Sequence, residues 1–190
     1  MRLIVGITGA SGAKLGVRLC EELSKRGVDV HVVITDAGIK VGEFEVGKDV
    51  VDKLKKVSNR LFFEDDLDAP IASGSYPVDG MVIIPCSMNT VAKIAYGLSD
   101  NLLLRAVDVQ LKMGRRLVIV PRESPLSATH LRNLLRLQTL YNNIYIIFPL
   151  LTYYHNPKTI EEMENYTLGR ILDMFGLEHN LYRRWRVDEE

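Results

Sequence analysis

Residues 3–25 read LIVGITGASGAKLGVRLCEELSK. The apolar run Leu3–Ile7 does not alternate polar with apolar, which is how a strand buried on both faces reads. It passes into the small and hydroxylated turn Thr8–Gly12. A stretch follows with Gly16, Leu19, Cys20 and Leu23 at i, i+3, i+4 and i+7, closed by Gly27. That spacing places one apolar face on a helix over 12–25. Strand, small-residue turn and helix together predict the first half of a βαβ unit.

The pattern recurs outward from there. Apolar runs at Val28–Ile34, Met81–Ile84, Leu117–Val120 and Ile144–Phe148 predict four more strands. Helical spacing falls at 48–57, 101–113, 127–141 and 159–175, the last opening on Thr159 with Glu161 and Glu162 in its first turn. This order implies an α/β fold: a doubly wound, mostly parallel sheet with helices on both faces, Rossmann-like, joined by right-handed crossovers. The 190 residues are expected to form a single domain, 1–190, with 177–190 as a C-terminal tail that docks on a neighbouring subunit or frays. Glu64–Asp68 reads as a solvated acidic loop.

Composition excludes several classes. Lys plus Arg (24) equals Asp plus Glu (24), so net charge offers no hold on nucleic acid or an anionic membrane. An anion site must then be a local cluster. Cys20 and Cys86 lack metal or redox spacing, which points to a reducing, cytoplasmic setting. The opening apolar run is too short for a signal peptide, and no run approaches the ~20 residues that span a bilayer. A chain of this size buries roughly 70% of its unfolded surface and needs no staple.

In such sheets, ligands bind beyond the carboxyl ends of the strands, where strand order reverses. Thr8-Gly9-Ala10-Ser11-Gly12 stands there, with glycines for close backbone approach, hydroxyls on Thr8 and Ser11, and N–H groups at a helix start that attract an anion. The spacing is neither the dinucleotide fingerprint nor a nucleotide-triphosphate loop. Asp36 keeps a ribose contact open. Pro85 is expected to end its strand, followed by Cys86-Ser87-Met88-Asn89-Thr90, which reads equally as a ligand edge or a polar helix cap. Pro121-Arg122-Glu123-Ser124-Pro125 is a stiff loop whose Arg–Glu pair is a surface pair or an anion clamp with a proton donor. Helix 101–113 is apolar almost all round, so it lies in the core or between subunits. Arg105, Asp108 and Lys112 form one stripe on it, an ion network or an anion site. Tyr153–Pro157 follows the last strand, and Arg170 lies in the next helix.

TGASGAKLGVRL, ASGS (Ala72–Ser75), PCSMNT, DNLLLRAVDVQLK, PRESPLSATHLRN and YYHNPKT, in this order from Leu3 to about Gly176, resemble the UbiX-type flavin prenyltransferases. The resemblance implies transfer of a dimethylallyl group from dimethylallyl monophosphate to N5 and C6 of reduced FMN, without a metal. It implies a homo-oligomer, a dodecamer in that family, and delivery of prenylated FMN to a UbiD-type decarboxylase.

Carried over by position, Gly9, Ala10, Ser11, Thr35, Ser87, Met88, Asn89, Thr90 and Arg122 hold FMN. Lys112, Tyr154 and Arg170 bind the substrate phosphate. Glu123 is the acid/base residue, with Ser11, Glu45 and Arg105 also catalytic. Leu67 stands where some members carry Trp. Met88-Asn89-Thr90 leans toward the related flavin cysteine decarboxylases, the alternative function. Their active-site His has no counterpart here, since no His falls between His31 and His130. An FMN-binding electron carrier is a further alternative, which a second phosphate site disfavours.

Overall fold

The computed structural model describes residues 1–185, so 186–190 of the expected tail lie outside the described residues. The chain divides into two compact units, Met1–Ile146 and a second beginning at Ile147. The first contains β1 (Arg2–Ile7), α1 (Ala13–Lys25), β2 (Asp29–Ile34), α2 (Asp36–Glu45), α3 (Val50–Val57), β3 (Arg60–Phe63), β4 (Gly80–Cys86), α4 (Met88–Ala95), α5 (Leu102–Lys112), β5 (Arg116–Pro121), α6 (Ala128–Leu140) and β6 (Ile144–Ile146). The second holds α7 (Ile160–Met174).

The six strands form one sheet in the order β3-β2-β1-β4-β5-β6. All its pairings are parallel. The chain winds outward from β1 to β3, then returns to the other side of β1, so order reverses between β1 and β4. Both faces are covered, as the unbroken apolar runs require. Gly6 faces Leu103 of α5, while Ile7, on the opposite face, meets Gly16 of α1.

Two helices and a strand escape the sequence pattern. β3 is an edge strand of four residues beginning with Arg60, half-exposed throughout, so it lacks the apolar signature of its neighbours. α2 carries Gly38 and Gly42, poor helix formers. Packing requires them: a Cβ at Gly38 would stand 2.6 Å from the Ile7 carbonyl oxygen, and one at Gly42 would stand 2.9 Å from Val50. α4 follows Ser87, the helix-cap alternative. Pro85 does not end its strand; β4 runs on to Cys86, with a register shift against β5 after Ile83. The proline lacks an N–H, and the irregular ladder there demands none.

The apolar helix α5 is interior. Leu102, Leu103, Leu104, Ala106, Val107 and Val109 are all buried within one chain, so this helix gives no argument for a subunit contact. In α6 the repeated leucines Leu131, Leu134 and Leu135, which helical spacing puts on one face, divide: Leu134 is buried with Leu137, but Leu131 and Leu135 are exposed. Among the described residues no helix is long and apolar enough to cross a membrane.

One core histidine is under electrostatic tension. His31 on β2 is 2% exposed; its Nε2 lies 3.1 Å from Asp29 Oδ1 and its Nδ1 has no partner among the described residues. Its ring neighbours Phe62 and Tyr76. Burial pushes its pKa down, with Arg2 and Arg60 adding to the effect, and Asp29 opposes without prevailing. The folded state therefore refuses a proton that the unfolded chain accepts below its ordinary pKa of about 6.5. Stability from this site is present above that pH and is lost as pH falls below it. Thermal melts between pH 7.5 and 5 should show His31→Gln losing less of its melting temperature on acidification than wild type. Parallel pH profiles for the two proteins would contradict this.

Candidate functional site

The loops after β1 and β4 meet at the reversal of strand order, the edge where ligands bind in open α/β sheets. Thr8 joins them. Its hydroxyl donates to the Pro85 carbonyl at 2.8 Å and accepts from Ser87 N at 2.8 Å, and the residue is 1% exposed. Thr8 is thus a structural pin and not the ligand donor expected from its place in the turn. Arg122 N donates to the Cys86 carbonyl at 3.2 Å, which binds the loop after β5 to the same edge.

The TGASG turn differs from expectation in one respect. Gly12, at φ 109°, introduces α1 in a conformation that favours glycine. The anion at this helix start is supplied by the chain itself. Glu45, the last residue of α2, accepts from Gly12 N at 3.0 Å with both oxygens and from Lys14 N at 3.2 Å. A carboxylate there satisfies orphan N–H groups and suits the helix dipole. Ser11 stands exposed beside it.

Three other helix starts face the same edge, and their capping side chains are partly committed. Thr35 caps α2 by accepting from Gly38 N at 3.0 Å, and it is buried. Asp36, the residue open to a ribose, begins α2; its N–H donates to Glu64 Oε1 at 2.8 Å. The other Glu64 oxygen accepts from Asn101 Nδ2, also at 2.8 Å. Glu64 therefore braces two helix starts, a task hidden in what reads as a solvated acidic run. Ser87 caps α4, accepting from Thr90 N at 3.2 Å, while its Oγ sits 3.0 Å from Thr90 Oγ1. Met88 and Thr90 are buried and Asn89 is exposed.

Arg105 reaches across to the ASGS stretch. Its Nε donates to the Ala72 carbonyl at 3.2 Å and its guanidinium pairs with Asp108 at 2.9 Å. The Arg105–Asp108 pair meets the ion-network reading of that stripe. Arg115 fixes the same loop through Tyr76 O and Gly74 O, each at 3.1 Å. The exposed Lys112 runs close to Gly74. Glu123 is exposed and accepts from Ser124 N at 3.0 Å. No ion pair joins it to Arg122 among the described residues, so the surface-pair reading of that dipeptide is not met. The Ser11 hydroxyl, Asn89 amide and Arg122 guanidinium have no hydrogen-bond partner among the described residues. Leu67 is more than half exposed. No group of three or more His, Cys, Asp or Glu among the described residues is placed to hold a metal.

In the second unit, Tyr154 and Arg170 belong to one aromatic cluster. The Tyr154 hydroxyl bonds to that of Tyr166, and this bond together with burial pushes its pKa up to about 12. His155 stacks on Tyr166, and Tyr182 meets Tyr166 edge-on. Arg170 pairs with Asp173, three residues on. Thr8, Glu64, Tyr166 and Asp173 thus take parts that no motif announced; each acts through a partner distant in sequence or in the tail.

Residues 1–172 match the family model named Flavoprotein. The flavin prenyltransferase UbiX of Halalkalibacterium halodurans is 47% identical, over 98% of this chain and 94% of its own. Among solved structures, a dodecameric FMN-dependent UbiX-like decarboxylase from Escherichia coli O157:H7 superposes with a TM-score of 0.93 at 41% identity, covering 98% of this chain and 100% of that one. AnUbiX, solved with FMN and dimethylallyl pyrophosphate, also gives 0.93, at 36% identity over 97% of each chain. With near-complete coverage and identity well above 30%, this chain belongs to the flavoprotein family, among the UbiX-type flavin prenyltransferases.

Proposed function

We propose that this protein transfers a dimethylallyl group from dimethylallyl monophosphate to N5 and C6 of reduced FMN. The observation that carries this reading is the switch point between β1 and β4, where the small-residue turn 8–12 is bonded to the loop after β4, with the Ser11, Asn89 and Arg122 side chains of these neighbouring loops left without a hydrogen-bond partner among the described residues. Such a place fits a phosphate-bearing planar ligand. Near-full-length similarity to a named flavin prenyltransferase, and to a protein solved with FMN and a dimethylallyl phosphate ester, supports the identity of both ligands.

Reduced FMN supplies the electron-rich acceptor atoms; the residues hold, orient and move protons. Gly9, Ala10, Ser11, Thr35, Ser87–Thr90 and Arg122 bind FMN. Thr35 and Ser87 contribute through the helix starts they cap. Breaking the allylic C–O bond leaves negative charge on phosphate and positive charge on the allyl fragment. Lys112, Tyr154 and Arg170 bind that phosphate, and with Arg122 they take the stabilising role a metal has elsewhere. Glu123 would protonate the departing phosphate, the released phosphate would accept the proton displaced from C6, and Arg105 would bind beside the flavin. Glu45 holds the Ser11 turn in place.

The reading takes 1–190 as one flavin-binding domain, since the family match runs across the division at Ile146. Oligomerisation, to a dodecamer as in the E. coli relative, is supported by exposed apolar residues such as Phe44, Leu135, Leu150 and Ile160. The product passes to a UbiD-type decarboxylase. Free buried Cys20 and Cys86 suit a reducing cytoplasm.

Anaerobic incubation with reduced FMN and either dimethylallyl monophosphate or diphosphate, read by mass spectrometry, tests the reaction. A flavin heavier by one dimethylallyl unit, formed with chelator present and faster from the monophosphate, is expected. Unmodified FMN from both donors would refute it. Decarboxylation of a cysteine-ended peptide would favour the alternative.

A further inference from the structure

Arg170, proposed above for the donor phosphate, is a long exposed side chain on α7. A flexible guanidinium loses rotamer freedom each time it binds, and any group that fixes its direction reduces that cost. Asp173 stands one helical turn further along, three residues away, on the neighbouring face. Its Oδ2 lies 3.4 Å from an Arg170 guanidinium nitrogen and accepts from the Tyr182 hydroxyl at 2.7 Å. Its Oδ1 lies 3.2 Å from His179 Nε2 and accepts from Arg184 at 2.6 Å. A lone surface i,i+3 pair would be worth little. This carboxylate is only 15% exposed and gathers four partners, three of them from the segment after α7.

The backbone is shaped for that gathering. Gly169 has no side chain where a Cβ would stand 2.6 Å from the Tyr182 ring and 2.7 Å from His179. The segment after α7 therefore lies directly on the helix, beside Arg170. Tyr182 in turn meets Tyr166, the hydroxyl partner of Tyr154. Both proposed phosphate residues of this unit are thus held by one cluster whose charged centre is Asp173. Burial would push the Asp173 carboxyl up, but bonds from Arg184, Tyr182 and His179 prevail and hold it below its ordinary range, so it remains the anion the cluster needs.

From this geometry we infer that Asp173 is a positioning residue for donor binding, which aims Arg170 by clasping it to the segment 179–184. The inference rests on the proposed function above. It also gives residues 179–184 of the expected tail a task within their own unit.

The test is calorimetry on the FMN-loaded full chain, with dimethylallyl monophosphate as the probe, beside steady-state kinetics. Asp173→Asn should weaken donor binding and raise its KM by roughly 10-fold, as loss of a charge-assisted contact does, with kcat and FMN affinity little changed. A double-mutant cycle separates aiming from general support. In an Arg170→Ala background, Asp173→Asn should weaken the donor no further, because its effect passes through the missing side chain. Additive losses, or unchanged donor binding in Asp173→Asn, would overturn the inference. Should Asp173→Asn fail to fold, Tyr182→Phe keeps the ring on Gly169 and removes the hydroxyl that bonds to the carboxylate and also contacts Arg170, so it loosens the same clasp. It should weaken the donor in the same direction, and an unchanged KM would overturn the inference equally. Wild type that forms adduct while these variants bind normally would sink the clasp alone. Wild type that neither binds nor uses the donor would sink the proposed function with it.

Discussion

Glu123→Gln is expected to bind FMN and dimethylallyl monophosphate as wild type does, while turnover falls roughly 100-fold or more, the usual scale for losing a general acid or base. Glu123 follows β5 in a loop whose start is fastened by Arg122 N to the Cys86 carbonyl. One carboxylate oxygen accepts from Ser124 N, which orients this exposed group and leaves the other oxygen without a partner among the described residues. Glutamine keeps the shape and the acceptor but has no proton to give a departing phosphate. Anaerobic single-turnover reactions read by mass would measure the loss. Near-wild-type adduct formation would move the proton to the phosphate itself or to Glu45. Glu45 is the weaker substitute, because both its oxygens already accept from the start of α1.

A second large effect is expected at Gly9. A Cβ there would stand 2.4 Å from the Cβ of Ala37 in the first turn of α2, well inside contact distance. Even Gly9→Ala must therefore push the TGASG turn away from α2, at an overpacking cost of about 1–3 kcal/mol. The shift acts on the proposed ligand edge itself, so FMN affinity should fall by at least roughly 10-fold. Removing the opposing methyl identifies the cause. With Ala37→Gly added, the turn can settle back and FMN binding should largely return, as measured by calorimetry. A double variant that still fails to bind would show that Gly9 is needed for close approach of the ligand, as its place in the turn alone suggests.

How far the sequence was legible varies with the kind of force involved. The four central strands β1, β2, β4 and β5 were readable because burial on both faces imposes uninterrupted apolar runs, and boundaries moved by only a few residues. The apolar run at 144–148 marked the edge strand β6, which is only Ile144–Ile146. β3 was not readable, since an edge strand half-covered on each face carries no such run. α2 was hidden by Gly38 and Gly42, whose presence makes sense only once Ile7 and Val50 are seen against them. Element order and the right-handed crossover rule gave a doubly wound sheet, but that its order reverses between β1 and β4 is a property of the tertiary structure.

At the site, residue types were legible and their tasks were not. Glycines, hydroxyls and a helix start after β1 pointed to an anion, and resemblance of six ordered motifs named the ligands. Which groups remain open to a ligand was settled only by partners brought in from afar. Thr8 is consumed by Pro85 and Ser87, and Gly12 N by Glu45. The leucines of α6 likewise divide between core and solvent, and α5 takes the core, one of the two places its apolar circumference allowed. By itself, the sequence determined the parallel α/β architecture and the small-residue ligand edge, because periodicity and steric allowance are local properties of a chain. The tertiary structure alone decided which hydroxyl, carboxylate or N–H is spent on the fold, because a hydrogen bond depends on distances that residues remote in sequence acquire only by folding.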